Sequence, residues 1–186
     1  MTRIAVFALA TLLVAGAAVG AASHFAGRSS NTAAVAATPV WIEAAWPFPI
    51  DPWGKGKAFR CRAEHCGTDV RLYVRTKIGS CGCVAAIDDD DLDRVGDLDL
   101  IGAERASLEP GRPIEVRWAK GRARAYTVSG RGTAKSVLSI ALHERCDMVV
   151  ATALVGDARS AAQERVVVEF LNSDTVLTWA EAALGL

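Results

Sequence analysis

The residues of this 186-residue chain whose types and spacing could do chemistry are its five cysteines. Cys61, Cys66, Cys81 and Cys83 fall within FRCRAEHCGTDVRLYVRTKIGSCGC, and Cys146 stands apart. Three chemistries are open to them: a disulfide framework, a thiol–disulfide exchange site and a soft-metal site. Thiols in an oxidising compartment pair, and an odd cysteine is left over. Cys81-Gly82-Cys83 could bridge internally only in a tight turn that the central glycine permits, and such a bridge is easily reduced. That is the exchange reading, although no Cys-x-x-Cys at a helix start accompanies it. A four-cysteine zinc site would need C-x4-C with C-x-C, whereas zinc knuckles favour C-x2-C. His65 and His143 are single histidines, expected as solvated loop residues.

The element between the cysteines decides among pairings. Residues 69–77, DVRLYVRTK, alternate: Val70, Leu72 and Val74 on one side, Arg71, Tyr73, Arg75 and Lys77 on the other. This predicts a half-buried strand with one wet face. At roughly 3.3 Å per residue it holds its ends about 30 Å apart, and a disulfide needs Cα atoms within about 7 Å. Cys61 with Cys66 is therefore the local pair, and Cys81 or Cys83 reaches for Cys146.

A second set of candidate ligands is DDDDLDRVGDLDLI, residues 88–101, with seven aspartates in twelve residues. Asp88, Asp89, Asp90, Asp91 and Asp93 supply the hard oxygens a Ca²⁺ site wants. An EF-hand frame fails, because from Asp91 the fifth position is Val95 and the twelfth is Gly102. The alternative is a solvated acidic loop, with Leu92, Val95, Leu98 and Leu100 tacking it to the body. No serine nucleophile elbow, phosphate loop or paired metal-histidine motif is present in the sequence.

The N-terminus sets the compartment. Arg3 precedes an uncharged apolar run from Ile4 to about Ala22, followed by small residues at Val19-Gly20-Ala21 and Ala34-Val35-Ala36. Residues 1–22 are expected to act as a cleaved export signal or as an uncleaved anchor in the inner membrane. Residues 23–40, rich in Ala, Ser, Thr and Asn, read as a linker. Residues 41–186 then make a single domain outside the cytoplasm, in the periplasm or at the membrane. Lys+Arg and Asp+Glu balance at 21 each, which gives no reason to expect nucleic acid as a partner.

Within the domain, Trp41, Trp46, Phe48 and Trp53 are interleaved with Pro47, Pro49 and Pro52. These prolines forbid a helix and predict an extended segment packing its rings on the body. Residues 114–118 and 122–128 form a strand pair around Lys120-Gly121, and 137–142 and 148–155 another, joined by residues 143–147. The period then changes to 3.6. Val166, Val167, Phe170 and Leu171 mark one helix face, with Ser160 and Gln163 as a capping box. Ser173 or Asp174 caps a second helix ending at Gly185, striped by Val176, Leu177, Ala180 and Leu184. The fold class expected is α+β, a mostly antiparallel sheet of about five strands with C-terminal helices on one face.

The order of hairpin, hairpin, small-residue turn and C-terminal helix over residues 112–184 resembles the PsbP/Mog1-like architecture. The stretches WPFPIDPWGKGKAFRC and DLDRVGDLDLIG resemble a group of uncharacterised exported bacterial proteins. That resemblance implies export and no particular activity. The sequence therefore points to a non-enzymatic binding or interaction module without a cofactor, its partner a protein or small ligand. A thiol–disulfide redox protein using Cys81 and Cys83, and a metal-binding protein, are the alternatives.

Overall fold

Eight strands, paired antiparallel throughout, form one sheet: β1 (Trp41–Ala44), β2 (Lys57–Cys61), β3 (Val70–Lys77), β4 (Glu104–Ser107), β5 (Arg112–Val116), β6 (Ala119–Ser129), β7 (Lys135–Glu144) and β8 (Asp147–Val155). The computed structural model describes residues 38–79, 86–130, 132–156 and 161–185. The apolar run of residues 1–22, Cys81 and Cys83 lie outside the described residues. Among the described residues, no helix is long and apolar enough to cross a membrane.

The strands run in the order β1-β2-β3-β8-β7-β6-β4, with β5 also beside β6. The sheet is wider than the five strands expected. The three strands beyond those expected are β1, β2 and β4: β1 and β4 have four residues each, β4 is exposed at every position, and β2, KAFRC, does not alternate strictly, so none offers an alternating apolar signal. The long β6 pairs along its length with β7, and its other edge is shared by β4 and β5.

One sheet face builds the main core. Leu72 and Val74 of β3, Leu138, Ile140 and Leu142 of β7, and Val149 and Ala151 of β8 are buried in one cluster. The same cluster holds Val167 and Leu171 of α3 (Ala161–Leu171) and Val176 and Ala180 of α4 (Asp174–Leu184). Trp118 Nε1 donates to the Leu171 carbonyl at 3.0 Å, and Trp41 stacks on Phe170 with ring centroids 4.5 Å apart. Ser173 caps α4 through the Val176 N–H, and Gly185 ends it at φ 70°, a left-handed position suited to glycine. Ser160, half of the expected α3 capping box, is outside the described residues.

The opposite face corrects the half-wet expectation for β3. Arg71 is exposed, but Tyr73, Arg75 and Lys77 are 8%, 3% and 5% accessible. Two coverings close over them. The proline-rich segment lays Trp46 and Phe48 edge-on against Tyr73, with centroids 6.1 and 4.8 Å away. Trp53 sits over the Lys77 ammonium at 5.3 Å, a cation–π contact. The second covering is the acidic stretch, which is a helix, α2 (Asp89–Val95), rather than a solvated loop. Its four leading aspartates are a helix start: Asp88 is the N-cap and Asp89, Asp90 and Asp91 fill the first turn, where the helix dipole favours negative charge. Leu92, Val95 and Leu98 are buried on this face, and Leu100 is half-buried.

Two turns also differ from expectation. The β5–β6 hairpin turns at Arg117-Trp118, not at Lys120-Gly121, because Val116 pairs with Ala119. Gly121 is a strand residue opposite Leu142, and a Cβ there would overlap the Ala141 carbonyl. Its glycine serves close backbone approach rather than a turn. The β7–β8 turn is Arg145-Cys146, with Arg145 at φ 56°, so His143 is in a strand and not a loop.

Candidate functional site

The cysteines divide between the two ends of β3. Cys61 closes β2 opposite Val70, and α1 (Ala63–Cys66) carries Cys66 back to it. The Cys61–Cys66 disulfide is formed, with Cα atoms 6.0 Å apart. Cys61 is fully buried in the main core, so this bridge anchors the RAEH turn rather than offering a reactive thiol to solvent. His65 lies within α1, half-buried.

At the other end, Lys77 pairs with Met148, and the Gly79 N–H donates to Asp147 Oδ1 at 2.8 Å. The chain leading to Cys81 is thus held against the turn that carries Cys146. Cys146 is itself disulfide-bonded. The Cys81 and Cys83 half of the expected framework lies outside the described residues.

The acidic segment meets a basic row on the sheet. Asp89 and Asp93, at i and i+4, share one face of α2, and Asp97 follows just beyond its end. Asp89 accepts from the Gly111 N–H at 3.0 Å and pairs with Arg122. Asp93 accepts from Arg124 Nη1 at 3.1 Å and from the Tyr126 hydroxyl. Asp97 accepts from Arg75 Nε and Nη2, both at 2.5 Å, and pairs with Lys77 at 2.8 Å. Arg75 Nη1 also donates to both Asp51 oxygens, at 2.7 and 2.6 Å. The remaining candidates act locally: Asp88 and Asp91 close a capping box, Asp91 pairs with Arg94, and Asp90 is exposed. Among the described residues, no group of three or more His, Cys, Asp or Glu side chains is placed to hold a metal ion.

Proton affinities follow these contacts. The Arg75 guanidinium holds the Asp51 carboxyl below the usual carboxylate range, and Arg122, then the Gly111 N–H, do the same for Asp89. Burial works against the charge of Arg75, but its bonds to Asp97 and Asp51 more than offset this and raise its pKa. Burial first, and the bond to Asp93 second, push the Tyr126 phenol up. The side chains that sequence reasoning missed are Asp51, Arg75, Lys77, Asp97, Arg122, Arg124 and Tyr126; the i, i+4 pair Asp89 and Asp93 was the signal that could have found part of the network.

One further site was not legible in the sequence. A cavity of about 520 Å³ opens between β5 and α3, lined by Arg112, Ile114 and Glu115 from the strand and Glu164, Arg165 and Val168 from the helix. Glu164 is 5% accessible, and its carboxylate pairs with half-exposed Arg112. The arrangement combines an apolar floor with a buried carboxylate in contact with a guanidinium.

No known protein family matches the chain, and no curated protein is significantly similar to it.

Proposed function

We propose that this is an exported, disulfide-stabilised binding module that works outside the cytoplasm, with its C-terminal helices forming one layer on the sheet. The observation that carries the reading is the Cys61–Cys66 bridge. A disulfide closing a four-residue turn, with Cys61 buried and Cys66 half-buried, belongs to an oxidising compartment, and the N-terminal apolar run provides a route there. Cys146, in a disulfide at the far end of β3, supports the second bridge to Cys81 or Cys83. The two helices share a buried cluster with β3, β7 and β8, which supports the one-layer arrangement. The Asp–Arg pairs under α2 leave the carboxylates engaged with fixed cations, which favours a structural role over catalysis. Fusion of residues 1–40 to a reporter active only outside the cytoplasm tests export. Activity is the expected result, and a silent reporter contradicts the proposal.

A further inference from the structure

Resting on the binding-module reading, we propose that the groove between β5 and α3 seats an extended basic segment of a partner protein, a guanidinium of that segment replacing Arg112 on the Glu164 carboxylate. The groove has the two walls that strand addition needs, a sheet edge and a helix. In the described sheet β5 pairs with β6 alone, so its other side is an edge. Leu108 N donates to the Ala125 carbonyl, which sets the alternation along that side of β6. Arg112, Ile114 and Val116 therefore direct their backbone groups to β6, while Pro113 and Glu115 direct theirs outward. Pro113 has no N–H to offer, so the edge presents the Glu115 N–H and C=O and the Pro113 C=O. An edge that short discourages pairing with an arbitrary strand and makes side-chain recognition decide what binds.

The helix wall supplies that recognition. Ala161, Glu164, Arg165, Val168 and Glu169 recur at helical spacing and line the groove. A cavity of about 520 Å³ is in the range of ligand sites. Ile114 and Val168 give an apolar floor for the stem of a long side chain, and Glu164 gives a buried carboxylate at its end. Desolvated carboxylates demand a cation, and guanidinium meets them best because of its paired donors. Arg112 fills that role from the edge strand itself with half of its side chain in solvent, so it is an exchangeable stand-in. The lining holds three glutamates, Glu115, Glu164 and Glu169, against Arg112 and Arg165, so displacing Arg112 leaves a net acidic groove.

The test titrates the capped peptide acetyl-(Val-Arg)3-amide into the purified full-length protein by calorimetry, with acetyl-(Val-Glu)3-amide as the control. The basic peptide is expected to bind and the acidic one not. Glu164→Gln should weaken binding by about tenfold or more, and Arg112→Ala should strengthen it by about threefold or more. Arg117→Ala makes the same charge change at the hairpin turn and should leave the affinity within about twofold. Arg112→Ala changes a half-exposed residue, so it decides the matter if Glu164→Gln fails to fold. Equal binding of the two peptides, no binding of either, or an Arg112→Ala effect matching that of Arg117→Ala would overturn the proposal. None of these bears on export, which the reporter fusion reads separately.

Discussion

Arg75 of β3 and Asp97, just beyond α2, meet in a two-point salt bridge with both N–O distances at 2.5 Å and both side chains almost wholly buried. The carboxylate also pairs with Lys77, and because Arg75 keeps Asp51 as a second partner, Lys77 is the buried cation that Asp97 alone compensates among the described ion pairs. Removing a single partner from a buried pair leaves an uncompensated charge, which costs about 3–5 kcal/mol. Asp97→Ala is therefore expected to lose about that much stability in urea unfolding. A loss below about 1 kcal/mol would mean that α2 is not held by this contact.

Acid should loosen the same face. Asp51 and Asp89 have folded pKa values below those of the unfolded chain. Each therefore contributes stability that is present above the unfolded value of about 4 and is lost as pH falls through the lower folded value. The thermal midpoint should hold from neutral pH to about 5 and fall steadily below about 4. Asp51→Asn and Asp89→Asn should each flatten that fall. A wild-type midpoint unchanged down to about pH 2 would contradict the assignment.

Ser139 and Thr152 face one another across β7 and β8, both buried, and neither hydroxyl has a hydrogen-bond partner among the described residues. A buried hydroxyl without a partner costs about 1–3 kcal/mol. Thr152→Val keeps the β-branched shape and is expected to raise stability by about 1 kcal/mol in chemical denaturation. Destabilisation instead would show that the hydroxyl is satisfied in solution.

Gly121→Ala should destabilise by about 2–3 kcal/mol, the cost of overpacking against the Ala141 backbone. A neutral change would return Gly121 to the turn role that its sequence context suggests.

The sequence shows the main core more clearly than its cover. Val70, Leu72 and Val74 alternate, and the period change after Val155 announces two helices, because both signals come from neighbouring residues. Arg75 and Lys77 look wet because charge usually means solvent, and what buries them comes from Asp51 and Asp97, about twenty residues away on either side. The run Asp88–Asp91 carries a local helix-start signal, yet its charge density points as readily to a solvated loop or a cation site. Lys120-Gly121 looks like a turn because glycine serves both turns and close strand approach, and only the Val116–Ala119 pairing separates them. The groove was hidden for a different reason: Arg112 and Glu164 are 52 positions apart and meet only once β5 and α3 are placed.

The claim of an exported, disulfide-stabilised domain rests most directly on how its thiols are paired. In the chain-entropy description the Cys61–Cys66 loop contributes about 2 kcal/mol, and a bridge from Cys146 to Cys81 or Cys83 about 4 kcal/mol. Cys146→Ser is thus expected to cost more stability than Cys61→Ser. Peptide mapping of the unreduced protein recovered from outside the cytoplasm reads the pairing itself. The expected result is a Cys61–Cys66 peptide, a Cys146 peptide joined to Cys81 or Cys83, and one thiol open to alkylation. Recovery of Cys61 or Cys66 joined to Cys81 or Cys83, or of five free thiols, would contradict the account.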